Sequence, residues 1–176
     1  MLKLLLFVLF ANLPKSEYDG MIFWHKGRAI DWADFKGTPN LSSPFDAEAN
    51  SGVRYTYTFT DRGNTALVNF EVHSFFNAEQ SWTKSQRQTD LLLEHEQLHF
   101  DISELHARKL KKAFSEYKFS KAPKKEIESI FNQINEERAL MQGKYDAESN
   151  HSKNKQEQVR WRAFVKAELS TLSRYQ

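Results

Sequence analysis

The chain has 176 residues, 40% of them hydrophobic, with 25 basic against 23 acidic side chains, a net charge of +2 and no cysteine. That length supports one domain with its own core. The near balance of charge gives no ground for a nucleic-acid partner, and the absence of cysteine excludes both a disulfide framework and a thiol for a lipid anchor. The lysines in 109–112 and 121–125 read as solvated helix faces rather than as a basic groove.

The first residues, "MLKLLLFVLFANLPKS", place one lysine before an unbroken apolar run from Leu4 to Ala11. This is the pattern of a secretory signal, with a core strand as the alternative. It is shorter than the ~20 apolar residues that span a bilayer. The expectation is a cleaved segment over 1–16 and a single domain over 17–176, secreted or periplasmic, with no stable membrane anchor.

Residues 17–50 mix Gly, Pro, Ser, Asn and Asp with Phe23, Trp24, Trp32 and Phe35. So many large apolar side chains argue for short strands and ordered loops rather than disorder. In "GVRYTYTFT", Val53, Tyr55, Tyr57 and Phe59 alternate with Arg54, Thr56, Thr58 and Thr60. The residues "DRGN" at 61–64 follow as a turn, and then Ala66, Val68, Phe70 and Val72 alternate with Leu67, Asn69, Glu71 and His73. Two period-two runs about a glycine turn predict an antiparallel hairpin with one covered face, His73 lying on the polar side.

From roughly Thr83 the period becomes helical. Leu91, Leu98, Ile102 and Leu105 form a stripe, with no Pro or Gly between Thr83 and Ala122. Pro123 restarts the chain, and Ile127, Ile130, Phe131, Ile134 and Leu140 predict a second helix ending near Gly143. A loop, "KYDAESNHSKN", leads to a third helix opening near Asn154, with Glu157 at the capping-box spacing, and burying Trp161, Phe164, Val165 and Leu169. The fold class expected is α+β: a small antiparallel sheet, then a long helix and two more.

The stretch "LLLEHEQLHFDISELHAR" at 91–108 carries His95, Glu96, His99 and His106. Two histidines four residues apart on a helix lie about 40° apart around the axis and about 6 Å along it, so both rings reach one ion. Glu96, rotated by about 100° from His95, is badly placed as a ligand and well placed as general base beside a water on that ion. The pattern predicts a zinc hydrolase with His95 and His99 as ligands and Glu96 as the catalytic acid/base. The ordinary alternative is a pair of partly buried histidines bonded to backbone or carboxylates.

A catalytic zinc takes a third protein ligand. His106 lies about 10 Å beyond His99 along a straight helix and cannot join the same ion; substrate contact or packing is left for it. Asp101 and Glu104 point to the far side, for solvent or inter-helix pairing. The loop after the second helix offers His151 first and Asp146 second, or no ligand at all. Tyr145, His106 and Arg160 are candidates for stabilising an oxyanion.

Four blocks in this order carry a resemblance: "IDWADFKGTP" (30–39), "SW" (81–82), "LLEHEQLHFDISELHAR" (92–108) and "YDAESNHSKNKQEQVRW" (145–161). Together they are similar to the bacterial domain of unknown function 922, described as predicted secreted zinc-dependent proteases. The resemblance implies zinc at His95 and His99, Glu96 as acid/base, and an essential part for Tyr145, Asp146 and His151, on a minimal zincin-like fold. Leu98 and Ser152 stand where the family pattern has glycine. The function expected is hydrolysis of a peptide or protein substrate outside the cytoplasm. Two rivals are an exported metal-binding protein without turnover and an interaction module with Trp24, Trp32, Tyr55 and Tyr57 as an exposed aromatic face.

Overall fold

A computed structural model describes residues 20–176; the segment 1–16 expected to direct export lies outside the described residues. The hairpin forms where the period-two runs place it. Strand β3 (Ser51–Asp61) pairs antiparallel with β4 (Ala66–Asn77), and the short β1 (Met21–Phe23) adds to the other edge of β4. Gly63, at φ 84°, makes the turn, and its N–H donates to Asp61 Oδ1 at 2.7 Å. Tyr55 faces Val72 and Tyr57 faces Phe70 across the ladder, so both runs put their apolar residues on one face. His73 is on the other, exposed, with its ring 5.4 Å from that of Phe23.

A second small sheet pairs β2 (Ala47–Glu48) with β5 (Trp82–Thr83). Thr83 therefore ends a strand rather than beginning a helix. A 3₁₀ turn at Ser85–Arg87 intervenes, and α1 (Asp90–Glu116) starts at Thr89, whose hydroxyl accepts from the Leu92 N–H at 3.2 Å. The helical period read upstream of Thr89 lost to strand pairing.

Helix α2 (Lys124–Ser149) runs through Gly143, where the sequence suggested an end. A mid-helix glycine costs about 1 kcal/mol relative to alanine. Complete burial of Tyr145, worth about 2–3 kcal/mol, outweighs it. Leu140 is 69% exposed, contrary to the expected stripe, because six residues beyond Ile134 is about 240° round the helix. Helix α3 (Lys155–Thr171) opens at Asn154, whose side chain accepts from the Glu157 N–H; it buries Trp161 and Val165, while Phe164 stays exposed, its ring edge-on to Trp161.

The observed class is α+β, as expected, and α1 is its axis. One face packs on the sheet, where Val53, Val72, Leu110, Phe114, Ile127 and Ile134 form a cluster with Tyr55 and Tyr57 beside it. A second face meets Phe76, Ile30 and Phe35, with Trp24 and Trp32 against them. A third takes Tyr145, Trp161 and Val165. The four aromatic residues of the interaction-module reading thus pack on core clusters. On α1 itself, Asp101 accepts from Trp24 Nε1 at 2.8 Å, and buried Glu104 pairs with Arg108 at 2.8 Å and accepts from the Ser74 hydroxyl at 2.6 Å. Among the described residues no helix is long and apolar enough to cross a membrane.

Candidate metal centre

His95 and His99 face the same point from successive turns of α1. Their Nε2 atoms are 3.2 Å apart and the rings stand nearly perpendicular. Asp146 enters from α2, its Oδ1 3.1 Å from His95 Nε2 and 2.9 Å from His99 Nε2. Three ligand atoms on a tetrahedral ion, each at ~2.0–2.2 Å, stand about 3.3–3.6 Å from one another. The observed triangle is close to that, so the donor set fits a metal ion by geometry as well as by chemistry.

The far nitrogens explain why the rings aim inward. His99 Nδ1 donates to Gln142 Oε1, while the Gln142 amide nitrogen donates to the His99 carbonyl at 3.2 Å, which fixes the orientation of that amide. His95 Nδ1 lies 3.5 Å from the Ser149 hydroxyl. With both Nδ1 positions engaged behind the site, each Nε2 faces the shared point, where it donates to Asp146 and would turn a lone pair to an ion bound there. Tyr145 packs as a wall, its ring stacked 4.6 Å from that of His95 and edge-on to that of His99 at 5.2 Å. It is wholly buried, and its hydroxyl has no hydrogen-bond partner among the described residues.

Electrostatics follow from this packing. Burial pushes the Asp146 carboxyl up, but hydrogen bonds from both histidines and their charge outweigh it, holding the group well below the usual carboxylate range. Burial lowers the His95 pKa against the bond to Asp146. His99 is raised, because burial is overcome by its bond to Asp146 and by the charges of Glu96 and Asp146. Glu96, 3% exposed, is pushed up to about 7 by burial, opposed by His99 and by the Ala49 N–H that its Oε2 accepts at 2.8 Å.

That N–H is positioned by the "SW" block. Ser81 accepts from the Asn50 N–H at 2.9 Å and donates to the Asn77 carbonyl at 2.7 Å, while Trp82 Nε1 donates to Glu48 at 3.0 Å. The bonds to Asn50 and Glu48 bracket Ala49 and hold its N–H beside Glu96. The "IDWADFKG" block buttresses the same strand layer. Asp31 caps a 3₁₀ turn at Trp32–Asp34, Ile30 N–H donates to Gln97, and Gly37 N–H donates to the Ser81 carbonyl at 2.8 Å. A Cβ at Gly37 would stand 2.8 Å from that carbonyl oxygen.

A cleft of about 960 Å³ opens over the cluster, lined by His95, Glu96, His99 and Asp146, by 44–51 on one side and by Arg138, Gln142 and 151–153 on the other. His151 sits at this rim. Its Nδ1 is 3.8 Å from Asp146 Oδ1, its side chain is 44% exposed, and its ring lies 4.5 Å from that of Phe45. Of the two candidates for third ligand, the structure brings Asp146 into the three-residue group and leaves His151 beside it. His106 lies away from the cleft, with no exposure; its Nδ1 donates to the Ile102 carbonyl at 2.8 Å and its Nε2 has no partner among the described residues. Of its two prospective roles the structure gives packing. Arg160 is exposed and pairs with Glu148 and Glu157. None of Tyr145, His106 and Arg160 lines the cleft.

Gln142, Ser149 and the Ala49 N–H carry parts that the sequence did not disclose. Gln142 and Ser149 share a face of α2 with Tyr145 and Asp146, and that face becomes visible only once the helix is continued past Gly143. A family model described as a bacterial protein of unknown function, DUF922, matches residues 28–152, the span that holds every residue of the cluster. No curated protein and no solved structure matches the chain.

Proposed function

The chain belongs to the bacterial DUF922 family, and from that premise we propose that it is an exported zinc-dependent hydrolase acting on peptide or protein substrates. The reading is carried by one observation: two Nε2 atoms and a carboxylate oxygen within 3.2 Å of one another, in a cleft whose floor holds a buried glutamate. The donor set of two imidazoles and one carboxylate suits zinc. Zinc bound there would lower the pKa of water from about 15.7 to about 7 and polarise a substrate carbonyl.

The chain's own residues do the rest. His95, His99 and Asp146 would hold the ion. Glu96 keeps Oε2 on the Ala49 N–H, which leaves Oε1 free to take a proton from water and pass it to the leaving amine. Burial raises the Glu96 pKa, the direction that suits a carboxyl that must both take and return a proton. The wall of Tyr145 and the covered faces of α1 keep water away from the back of the site. Export over 1–16 and cleavage of that segment belong to the same proposal.

Glu96→Gln tests it. Purified without added metal, wild type and variant should carry equal zinc, and only wild type should cleave a broad peptide library. Equal zinc with no cleavage by either would make the protein a metal binder without turnover. Absence of metal from both would remove the hydrolase reading.

A further inference from the structure

Nearly every charged side chain that lines the cleft has an opposite charge or a polar donor beside it. Arg87 lies 3.8 Å from Asp46, Glu48 accepts from Trp82, Glu96 from Ala49, and Asp146 faces the two rings. Lys153 is exposed to water. Arg138 is different. It is half-buried, and its guanidinium meets only neutral acceptors: Nε donates to Asn135 Oδ1 and Nη1 to the Ser51 carbonyl, each at 3.1 Å. Among the described residues no carboxylate pairs with it, and burial lowers its pKa with no acidic neighbour in opposition.

A guanidinium has five N–H donors, and only two of this one's are committed, to Asn135 and to Ser51, in a residue that lines the cleft. Partial withdrawal of a charge from water is unfavourable unless an opposite charge offsets it. The fork geometry of arginine favours a carboxylate, which it can bind through two parallel bonds.

Its place on α2 gives the spacing. Arg138, Gln142 and Asp146 follow at four-residue steps and share one face, so the Cα of Arg138 is about 12 Å along the axis from that of Asp146. Ser51, which Arg138 holds by its carbonyl, has its hydroxyl 3.2 Å from the carbonyl of His99. The guanidinium therefore stands in the same cleft as the cluster, toward one end. An extended chain advancing about 3.4 Å per residue covers that span in about three to four residues.

We propose that Arg138 is the carboxylate-recognition residue of the cleft, and that the substrates are peptides carrying a carboxylate about three to four residues from the bond presented to His95, His99 and Asp146. The carboxylate is a free C-terminus or an acidic side chain. The proposal rests on the hydrolase reading above and adds its substrate class.

Malonyl-hydroxamates of one to four glycines test it, because the hydroxamate end chelates a bound metal and the other end can be varied. Each is made as the C-terminal acid, as the amide, and as the amide ending in glutamate, and titrated calorimetrically into the zinc-loaded full chain. In wild type the acid near three glycines should bind about tenfold tighter than its amide. In Arg138→Met, which keeps the apolar stem, acid and amide should bind alike, at the affinity of the wild-type amide. Arg138→Lys should keep part of the preference and supplies the comparison if the methionine variant unfolds. A glutamate-ended amide that matches the acid assigns an acidic side chain; one that does not assigns the C-terminus. Equal binding of acid and amide by wild type overturns the proposal while leaving the metal site standing, and Arg138 is then a brace for Ser51. Failure of every hydroxamate to bind the zinc-loaded chain overturns the hydrolase reading, and the proposal with it.

Discussion

Gln142 accepts the Nδ1 proton of His99 across the α1–α2 interface and, through its amide nitrogen, donates to the backbone carbonyl of that same histidine. One neutral side chain thus sets the tautomer of a ligand and the height of the helix that carries it. Loss of such a partner typically lowers metal affinity by about 10–100-fold. Gln142→Leu should do so, with Gln142→Glu retaining most of the affinity, as read by competition with a chromogenic chelator. Unchanged affinity in the leucine variant would mean that packing alone orients His99.

The third ligand is decided by a pair of variants. Asp146 Oδ1 is 2.9 Å from His99 Nε2, whereas His151 is a rim residue 3.8 Å from Asp146. Asp146→Ala should lose stoichiometric zinc and His151→Ala should retain it, as measured by metal analysis after gel filtration. The reverse result would transfer the ligand role to His151.

Between α2 and α3 three consecutive non-glycine residues have positive φ: Asn150 at 48°, His151 at 48° and Ser152 at 73°. Each costs about 1–2 kcal/mol for an L-residue other than asparagine, and only glycine is free of it. Ser152 stands where the resembling family has glycine, and the backbone shows why that residue suits the position. Ser152→Gly should stabilise the fold by about 1 kcal/mol, raising Tm by about 2–4 °C. A lowered Tm would show that the Ser152 side chain offsets its own strain.

Gly37 makes the opposite prediction. A methyl group there would meet the carbonyl oxygens of Ser81 and Glu79 at 2.8 and 2.9 Å, and these belong to backbone that cannot swing aside. Gly37→Ala should cost about 1–3 kcal/mol in chemical denaturation. It should also weaken the strand layer that supplies the Ala49 N–H to Glu96.

Acid stability reports on His106. Burial, opposed mainly by its bond to the Ile102 carbonyl, pushes its pKa down to about 4. The unfolded chain takes up this proton near pH 6.5, before the folded chain does, so the contribution is complete above pH 6.5 and is lost as pH falls toward 4. The loss is at most about 3 kcal/mol. Asparagine keeps a donor for the Ile102 carbonyl and does not titrate. The denaturation midpoint of His106→Asn should therefore fall less steeply than that of wild type between pH 6.5 and 4. Parallel curves would show that His106 is protonated in both states together.

The parts of the site that were legible in the sequence are those set by local periodicity. The i, i+4 spacing of His95 and His99, the alternation that makes the hairpin, and the Asn154 cap each follow from a few neighbouring residues. The sequence offers His151 before Asp146 as the one histidine left downstream, and with a helix end near Gly143 both read as residues of a loop. Continuation of α2 depends on burial of Tyr145 against α1 and Trp161, which is a tertiary fact. The start of α1 moved from Thr83 to Asp90 for the same kind of reason, since Thr83 pairs with Ala47. Gln142 and Arg138 carried no signal at all: a neutral amide has no motif, and a missing counterion shows only in three dimensions.

Helix α1 is hemmed in on three sides, by the sheet, by the amino-terminal segment and by the pair α2 and α3. A rod so enclosed cannot rotate or slide to suit different guests. Adaptation within the family therefore falls to the exposed margin, above all the stretch from Leu41 to Phe45. Related chains should keep the floor and diversify the lip.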